Sequence, residues 1–423
     1  MIRPRILFIF DHPLALRSYT ETGLIRELKL SFDVRIIFLG NNTDFSNDAV
    51  TIHINHFESF MLSLYANIYW YKVADKSLSI QNRTWYSNKS IKKIFSAPNI
   101  AYVYNKVLKV SPIKLFAFAL FGLFRQLRAS IQDLNVSKII YVTTGGTHTV
   151  SDFLQFFYHE KFDVLTILEN WDNMSSKAVL DSPPKKIGVW GEQSVVFASK
   201  IHNLDRKRIK PIGNPRVNWL IDNVKTNKLK NSIFFGGGSV NLNSEIEFLL
   251  ATTKFADKFG LKINYLPHPK NYSNMKRIIK EYHLEEVNFL IDFNSNNLVS
   301  HISLPKLSDY VEPFESAKIF VSPLSTMNLE AALLNIPSVA LDLSTGLDID
   351  RNRISDRHDH INEAKKLKVF HFISNITDYE ELLCNLLGRH EKLKPTRNSN
   401  ASLQYLVTTK KTFFDNLIEF MEF

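Results

Sequence analysis

Cysteine is almost missing from this chain. Cys384 is the only one in 423 residues, so no intrachain disulfide can form, which fits a reducing compartment. Glycine is scarce as well, at 14 residues, which gives weight to any place where glycines cluster. No stretch supplies the ~20 apolar residues that a membrane-spanning helix needs. The opening MIRPRILFIF looks at first like a secretion signal. Its apolar run Ile6 to Phe10 is too short for one and Asp11 ends it, so it reads as a buried first strand. Zinc-finger spacing, an aromatic–basic RNA signature and a dense Lys/Arg arm are all lacking, which makes nucleic acid the poorest fit among anionic partners.

What is present is an ordinary soluble composition, 45% hydrophobic and 22% charged, with a net charge of +10. Such a field attracts phosphorylated small molecules or anionic lipid. One apolar run, Leu115 to Phe124, is flanked by Lys106, Lys109, Lys114, Arg125 and Arg128. It reads either as a core helix or as a segment lying on an anionic membrane surface.

A chain of this length exceeds what one core usually organises, so two domains are expected. Short branched runs at Ile6–Phe10, Val34–Leu39, Lys138–Val142 and Val164–Leu168 read as buried strands. Helical patterns span 11–32 and 111–134. The alternation predicts a parallel sheet covered on both faces. After the polar stretch Asp222 to Lys230 the pattern restarts, with strands at Ser232–Phe235, Ile263–Leu266, Ile319–Val321 and Ser338–Leu341. The expected organisation is therefore a first Rossmann-like domain over 1–222, a second over 231–400 and a closing helix over 401–423. Two such doubly wound domains would bind ligands at the carboxyl ends of their strands.

Three motifs fall at strand ends of the second domain. Gly236-Gly237-Gly238-Ser239 lies between a strand and a helix, where backbone amides could approach a phosphate; a plain flexible turn is the alternative. In Pro267-His268-Pro269-Lys270 two prolines hold the imidazole in an extended segment, so His268 could donate to phosphate with Lys270 adding charge. In Ser322-Pro323-Leu324-Ser325-Thr326-Met327-Asn328-Leu329-Glu330, Ser325 and Thr326 open a helix suited to phosphate. Asn328 belongs to the same motif, and Glu330 could accept from a ribose hydroxyl. An ordinary capped helix with a solvent-facing Glu330 is the competing reading.

The first domain offers Asp11, His12, His148, Glu169 and Asp172 for taking a proton from an acceptor hydroxyl. Glu169 and Asp172 are preferred because Trp171 beside them could stack on a sugar, although core packing is a strong alternative for that ring. Asp348-x-Asp350 and His358-Asp359-His360 are not expected to hold a metal.

The run Glu169-Asn170-Trp171-Asp172-Asn173-Met174-Ser175-Ser176-Lys177 carries a family resemblance. It continues through Val189-Trp190-Gly191-Glu192-Gln193, Arg208 and Pro211-Ile212-Gly213-Asn214-Pro215-Arg216-Val217. With His268-Pro269 and the Ser325 to Glu330 motif, it resembles surface-carbohydrate biosynthesis proteins similar to the CDP-glycerol glycerophosphotransferases and bacterial polysialyltransferases. The resemblance covers roughly residues 165 to 345. It implies a GT-B fold of two facing Rossmann-like domains and a nucleotide-sugar donor seated mainly in the second. His268, Ser325 and Thr326 would meet the donor phosphates and Glu330 the ribose, with neither a metal nor another cofactor required. It further implies a cytoplasmic glycosyltransferase of bacterial surface polysaccharide, peripheral on the membrane, acting on a glycan or lipid-linked acceptor. A glycerophosphotransferase and a nucleotide-sugar 2-epimerase are the alternatives. Ser325-Thr326 stands where the glycerophosphotransferases tend to have two serines.

Overall fold

The structure is a computed structural model. It describes residues 3–40, 49–55, 58, 76–77, 79, 122–144, 148–176, 184–225, 230–238, 241–291, 305–343, 358–389 and 400–422. Ser239, Gly145 to Thr147, Lys106 to Phe121, Lys177, 226–229 and Asp348 to Asp350 lie outside them, as does the His148 side chain.

These residues form two compact units, one of 1–214 with 406–423 and one of 215–405. The first runs β1 (Arg5–Phe10), α1 (Pro13–Glu21), α2 (Leu24–Ser31), β2 (Asp33–Leu39), β3 (Ala49–Ile52), α3 (Gly122–Gln132), β4 (Lys138–Thr143) and α4 (His148–Tyr158). It continues with β5 (Asp163–Leu168), α5 (Asn173–Ser176), β6 (Lys186–Val189), α6 (Glu192–His202) and β7 (Ile209–Pro211). The second unit has α7 (Pro215–Asn223), β8 (Ser232–Gly236), α8 (Leu242–Phe259), β9 (Lys262–Leu266), α9 (Tyr272–Tyr282), β10 (Asn288–Phe289) and α10 (Val311–Ser316). Then come β11 (Ala317–Pro323), α11 (Thr326–Leu333), β12 (Ser338–Leu341), α12 (Asp359–Lys366), β13 (His371–Ile373) and α13 (Tyr379–Arg389). The chain ends with α14 (Ala401–Leu406) and α15 (Phe413–Glu422).

The first sheet has seven strands in the order β3-β2-β1-β4-β5-β6-β7, and the second six in the order β10-β9-β8-β11-β12-β13. Every pairing is parallel. In β1 the alternation of side chains feeds two cores. Ile6, Phe8 and Phe10 pack on one face with α1 and α15, and Leu7 and Ile9 on the other with α3 and α4. A strand buried on both faces must be apolar throughout, which is why this one reads as a continuous hydrophobic run.

Each sheet has one place where the strand order reverses, between β1 and β4 in the first and between β8 and β11 in the second. Ligands of open α/β sheets bind at the carboxyl ends beside such a point.

The helical stretch read at 11–32 is two helices, because Gly23 takes φ +81 between them. The closing helix read at 401–423 is likewise two, and Phe413, Leu417, Phe420 and Met421 of α15 enter the first unit's core. At the end of the run 115–124, Leu123 and Phe124 are buried, while Arg125 and Arg128 are exposed.

Candidate functional site

At the reversal point of the second sheet, β8 gives way to the three glycines. Their arrangement differs from the amide cradle expected of them. The Gly237 amide donates to the Leu266 carbonyl at 2.7 Å, and the Gly238 amide donates to Glu245 Oε2 at 2.7 Å. Both donors are therefore committed within the fold. Glycine is required here for proximity instead. A Cβ on Gly237 would lie 2.6 Å from the His268 nitrogen and 2.9 Å from the Pro267 Cα, and one on Gly238 would lie 2.8 Å from the Pro323 ring. The glycines thus let the ends of β8, β9 and β11 come together.

Glu245 was not anticipated. It sits in the first turn of α8, fully buried, with Oε1 accepting from the Tyr265 hydroxyl at 2.6 Å. Burial pushes its carboxyl up to about 7, against the opposing pull of the Tyr265 and Gly238 hydrogen bonds. An acidic residue in a first helical turn is common enough that the sequence does not separate this one from a solvated residue.

His268 caps the 3-10 turn Pro269–Asn271. Its Nδ1 accepts from the Lys270 amide at 3.2 Å, and Pro269 takes the first position of the turn. A neutral imidazole that accepts at Nδ1 carries its proton on Nε2, which is then a donor. That suits an anion anchor better than a base. Lys270 beside it is exposed.

The third motif is arranged largely for its own support. Ser322 is buried and donates to the Pro323 carbonyl at 2.7 Å. Asn328 is a brace and not a ligand contact. Its Oδ1 accepts from the Ser325 amide at 2.9 Å, and its Nδ2 donates to Ser338 Oγ and to the Val339 carbonyl, both at 3.0 Å. These bonds fix the start of α11 against β12. The amides of Thr326 and Met327, at the first two positions of α11, have no acceptor within the helix.

Glu330 does not present itself to a ribose. Its side chain has no exposed surface, and Arg216 lies against it with Nε 2.7 Å from Oε1 and Nη2 donating to Oε2 at 2.9 Å. The guanidinium also stacks over Tyr310, 4.6 Å from the ring centre. A buried carboxylate must be paired, and Arg216 is the partner that α7 supplies.

In the first unit, Asp11 stands at the reversal point, its Oδ2 accepting from the Tyr141 hydroxyl and from Thr143 Oγ1, both at 2.6 Å. Its neighbour His12 caps α1 as His268 caps its turn, Nδ1 accepting from the Leu14 amide at 3.2 Å. Glu169 ends β5. Asn214 Nδ2 donates to its Oε1 at 3.1 Å, and Trp190 Nε1 donates to its carbonyl at 2.8 Å. Tyr19 is close by: burial, and secondly the charge of Glu169, push its phenol well above the ordinary value. Asp172 accepts from Ser176 Oγ at 2.7 Å, across its own helical turn. Trp171 is 3% exposed, so core packing accounts for it and no sugar stacks there. His358 caps α12 and His360 is buried; among the described residues no three metal-ligating side chains gather.

No protein-family model matches the chain. No curated protein matches it either. Among solved structures it resembles the UDP-GlcNAc 2-epimerase of Methanocaldococcus jannaschii, with TM-score 0.55 and 11% identity over 99% of both chains. The UDP-GlcNAc 2-epimerase of Neisseria meningitidis, bound to UDP-GlcNAc, gives 0.54 and 11%, again over 99% of both. An Arabidopsis thaliana UGT complexed with quercetin gives 0.50 and 10% over 99% of both. At such identity the likeness concerns the fold, which is GT-B: two Rossmann-like α/β units.

Proposed function

We propose that the second unit grips the phosphates of a nucleotide-activated donor, and that the chain transfers the activated sugar to a glycan or lipid-linked acceptor in bacterial surface polysaccharide assembly. The supporting observation is the convergence at the β8/β11 reversal point. His268 there caps its turn through Nδ1, with its backbone against Gly237. Gly238 abuts Pro323, three residues before the amides of Thr326 and Met327, which have no acceptor within their helix. These donors, with Lys270, suit the charge that grows on a departing phosphate.

In this reading the acceptor hydroxyl attacks the anomeric carbon while its bond to phosphate breaks. The nucleotide leaves with the electron pair, and the acceptor proton passes to a general base. Thermal shift across CMP, CDP, UDP, GDP and their sugar conjugates tests the proposal. One base should raise the melting temperature, and His268→Ala should abolish the rise. Indifference to every nucleotide would refute it.

The similarity to 2-epimerases supports a second reading, inversion of a nucleotide sugar without any acceptor. New product from the nucleotide sugar alone would favour it. CDP-glycerol in the same panel tests glycerophosphate transfer, for which the donor tautomer of His268 offers an anchor but no base. No helix among the described residues is long and apolar enough to cross a membrane. A cytoplasmic site of action with peripheral attachment through Arg125, Arg128 and their neighbouring lysines is checked by co-sedimentation with phosphatidylglycerol vesicles.

A further inference from the structure

Beneath the proposed phosphate site lies a carboxylate that the transfer reaction does not use. Glu245 Oε2 receives the Gly238 amide at 2.7 Å and Oε1 the Tyr265 hydroxyl at 2.6 Å. Asn271 Nδ2 holds the Gly238 carbonyl from the other side at 3.0 Å. The Cβ position of Gly237 falls 2.8 Å from Glu245 Oε1 and 2.6 Å from the His268 nitrogen, so the carboxyl is packed directly under the histidine segment.

Among the described residues no charged side chain is bonded to it. Among the described residues Tyr265 of β9 is the one titratable side chain bonded to it. Glu247 on the same helix and Lys270 after β9 are exposed, and the β11 residues nearest the glycines, Phe320, Ser322 and Pro323, carry no charge. An ionised carboxylate is an odd foundation for an anion site, since it repels the ligand through a medium of low dielectric. A neutral carboxyl is not. It can still accept the Gly238 amide on one oxygen while donating its own proton to the Tyr265 oxygen, and the loop stays pinned.

We propose that Glu245 is a proton-linked positioning residue of the donor site: neutral, it props the glycine segment and His268 for phosphate; ionised, it opposes phosphate binding. The inference rests on the donor reading above. Burial holds the carboxyl near neutrality, so the two states exchange within the physiological range. Like charge raises the affinity of Glu245 for its proton, so donor binding takes up a proton and weakens as pH rises.

The experiment is calorimetric titration from pH 6 to 8.5 with whichever nucleotide sugar gives a thermal shift. Its pyrophosphate diester does not itself titrate in that range. The wild-type protein should bind about five- to tenfold more weakly at the alkaline end, the size expected of one like charge several ångströms away. Its binding heat should vary with the ionisation enthalpy of the buffer, reporting proton uptake. Glu245→Gln keeps both hydrogen bonds, through its carbonyl to Gly238 and its amide to Tyr265, and should flatten the profile and abolish the uptake. Tyr265→Phe removes a bond that favours the ionised form, and should shift the wild-type profile to higher pH. An unchanged slope in Glu245→Gln, or an unshifted profile in Tyr265→Phe should the glutamine variant not fold, overturns the inference and leaves the donor site intact. Absence of binding by the wild-type protein at every pH overturns the donor site itself, and the inference with it.

Discussion

Replacing Arg216 by methionine would remove the cation from a buried pair while keeping much of the apolar stem. Glu330 would then remain without exposed surface, facing neither water nor a counter-ion. Breaking a buried pair by deleting one partner costs about 3–5 kcal/mol, and the lost stacking over Tyr310 adds about 1 kcal/mol. In a unit of this size that is a fall in melting temperature of roughly 8–20 °C. The charge left behind should dominate the loss, so two consequences follow. The defect should shrink in acid, where Glu330 can take up a proton. The double variant Arg216→Met with Glu330→Gln should regain most of the loss, because no charge is then stranded. Calorimetry of the wild type, both single variants and the double variant at pH 5 and pH 8 measures all of this as a thermodynamic cycle. A loss below about 1 kcal/mol in Arg216→Met, or a double variant no better than the single, would show that Glu330 is solvated and restore it as a candidate for the ribose.

Gly237→Ala should cost about 1–3 kcal/mol in denaturant titration, since its methyl meets the His268 and Pro267 backbone, and should remove nucleotide protection as well. Glu245 makes stability depend on pH with a definite sign. Its folded value of about 7 lies above the ordinary glutamate value of 4.5, so the folded state holds the proton more tightly. Its stabilisation is full below about pH 4.5 and is lost as pH rises through 7, by about 3 kcal/mol. Glu245→Gln should remove that component from a urea-denaturation series. Gly213→Ala should destabilise the first unit by more than about 1 kcal/mol, because φ is +83 and the new methyl would lie 2.6 Å from the Thr408 carbonyl oxygen. A melting temperature within a degree of wild type would contradict that close contact.

Much of the fold was legible along the chain. The central strands announced themselves because parallel strands covered on both faces are largely apolar, as Ile6 to Phe10 and Val339 to Leu341 are. The strands missed were short, and several of them, Ala49–Ile52, Ile209–Pro211 and His371–Ile373, lie at sheet edges. They bury less and so carry less pattern. Prolines and glycines told where segments turn, and Pro-His-Pro foretold a fixed histidine.

What only the tertiary structure decided was which polar group meets which. Spacing alone left the glycine amides open to a ligand or to a plain turn. The fold gives them to Leu266 and Glu245, partners that are distant in sequence or unremarkable within a helix. Spacing also offered Glu330 to a ribose, whereas the packing of α7 against α11 delivers Arg216 from more than a hundred residues away. Local sequence sets backbone preference and hydrophobic period, because those act between neighbours. The fate of a hydrogen-bonding group depends on what burial brings beside it, and that is settled only when the sheets and helices close.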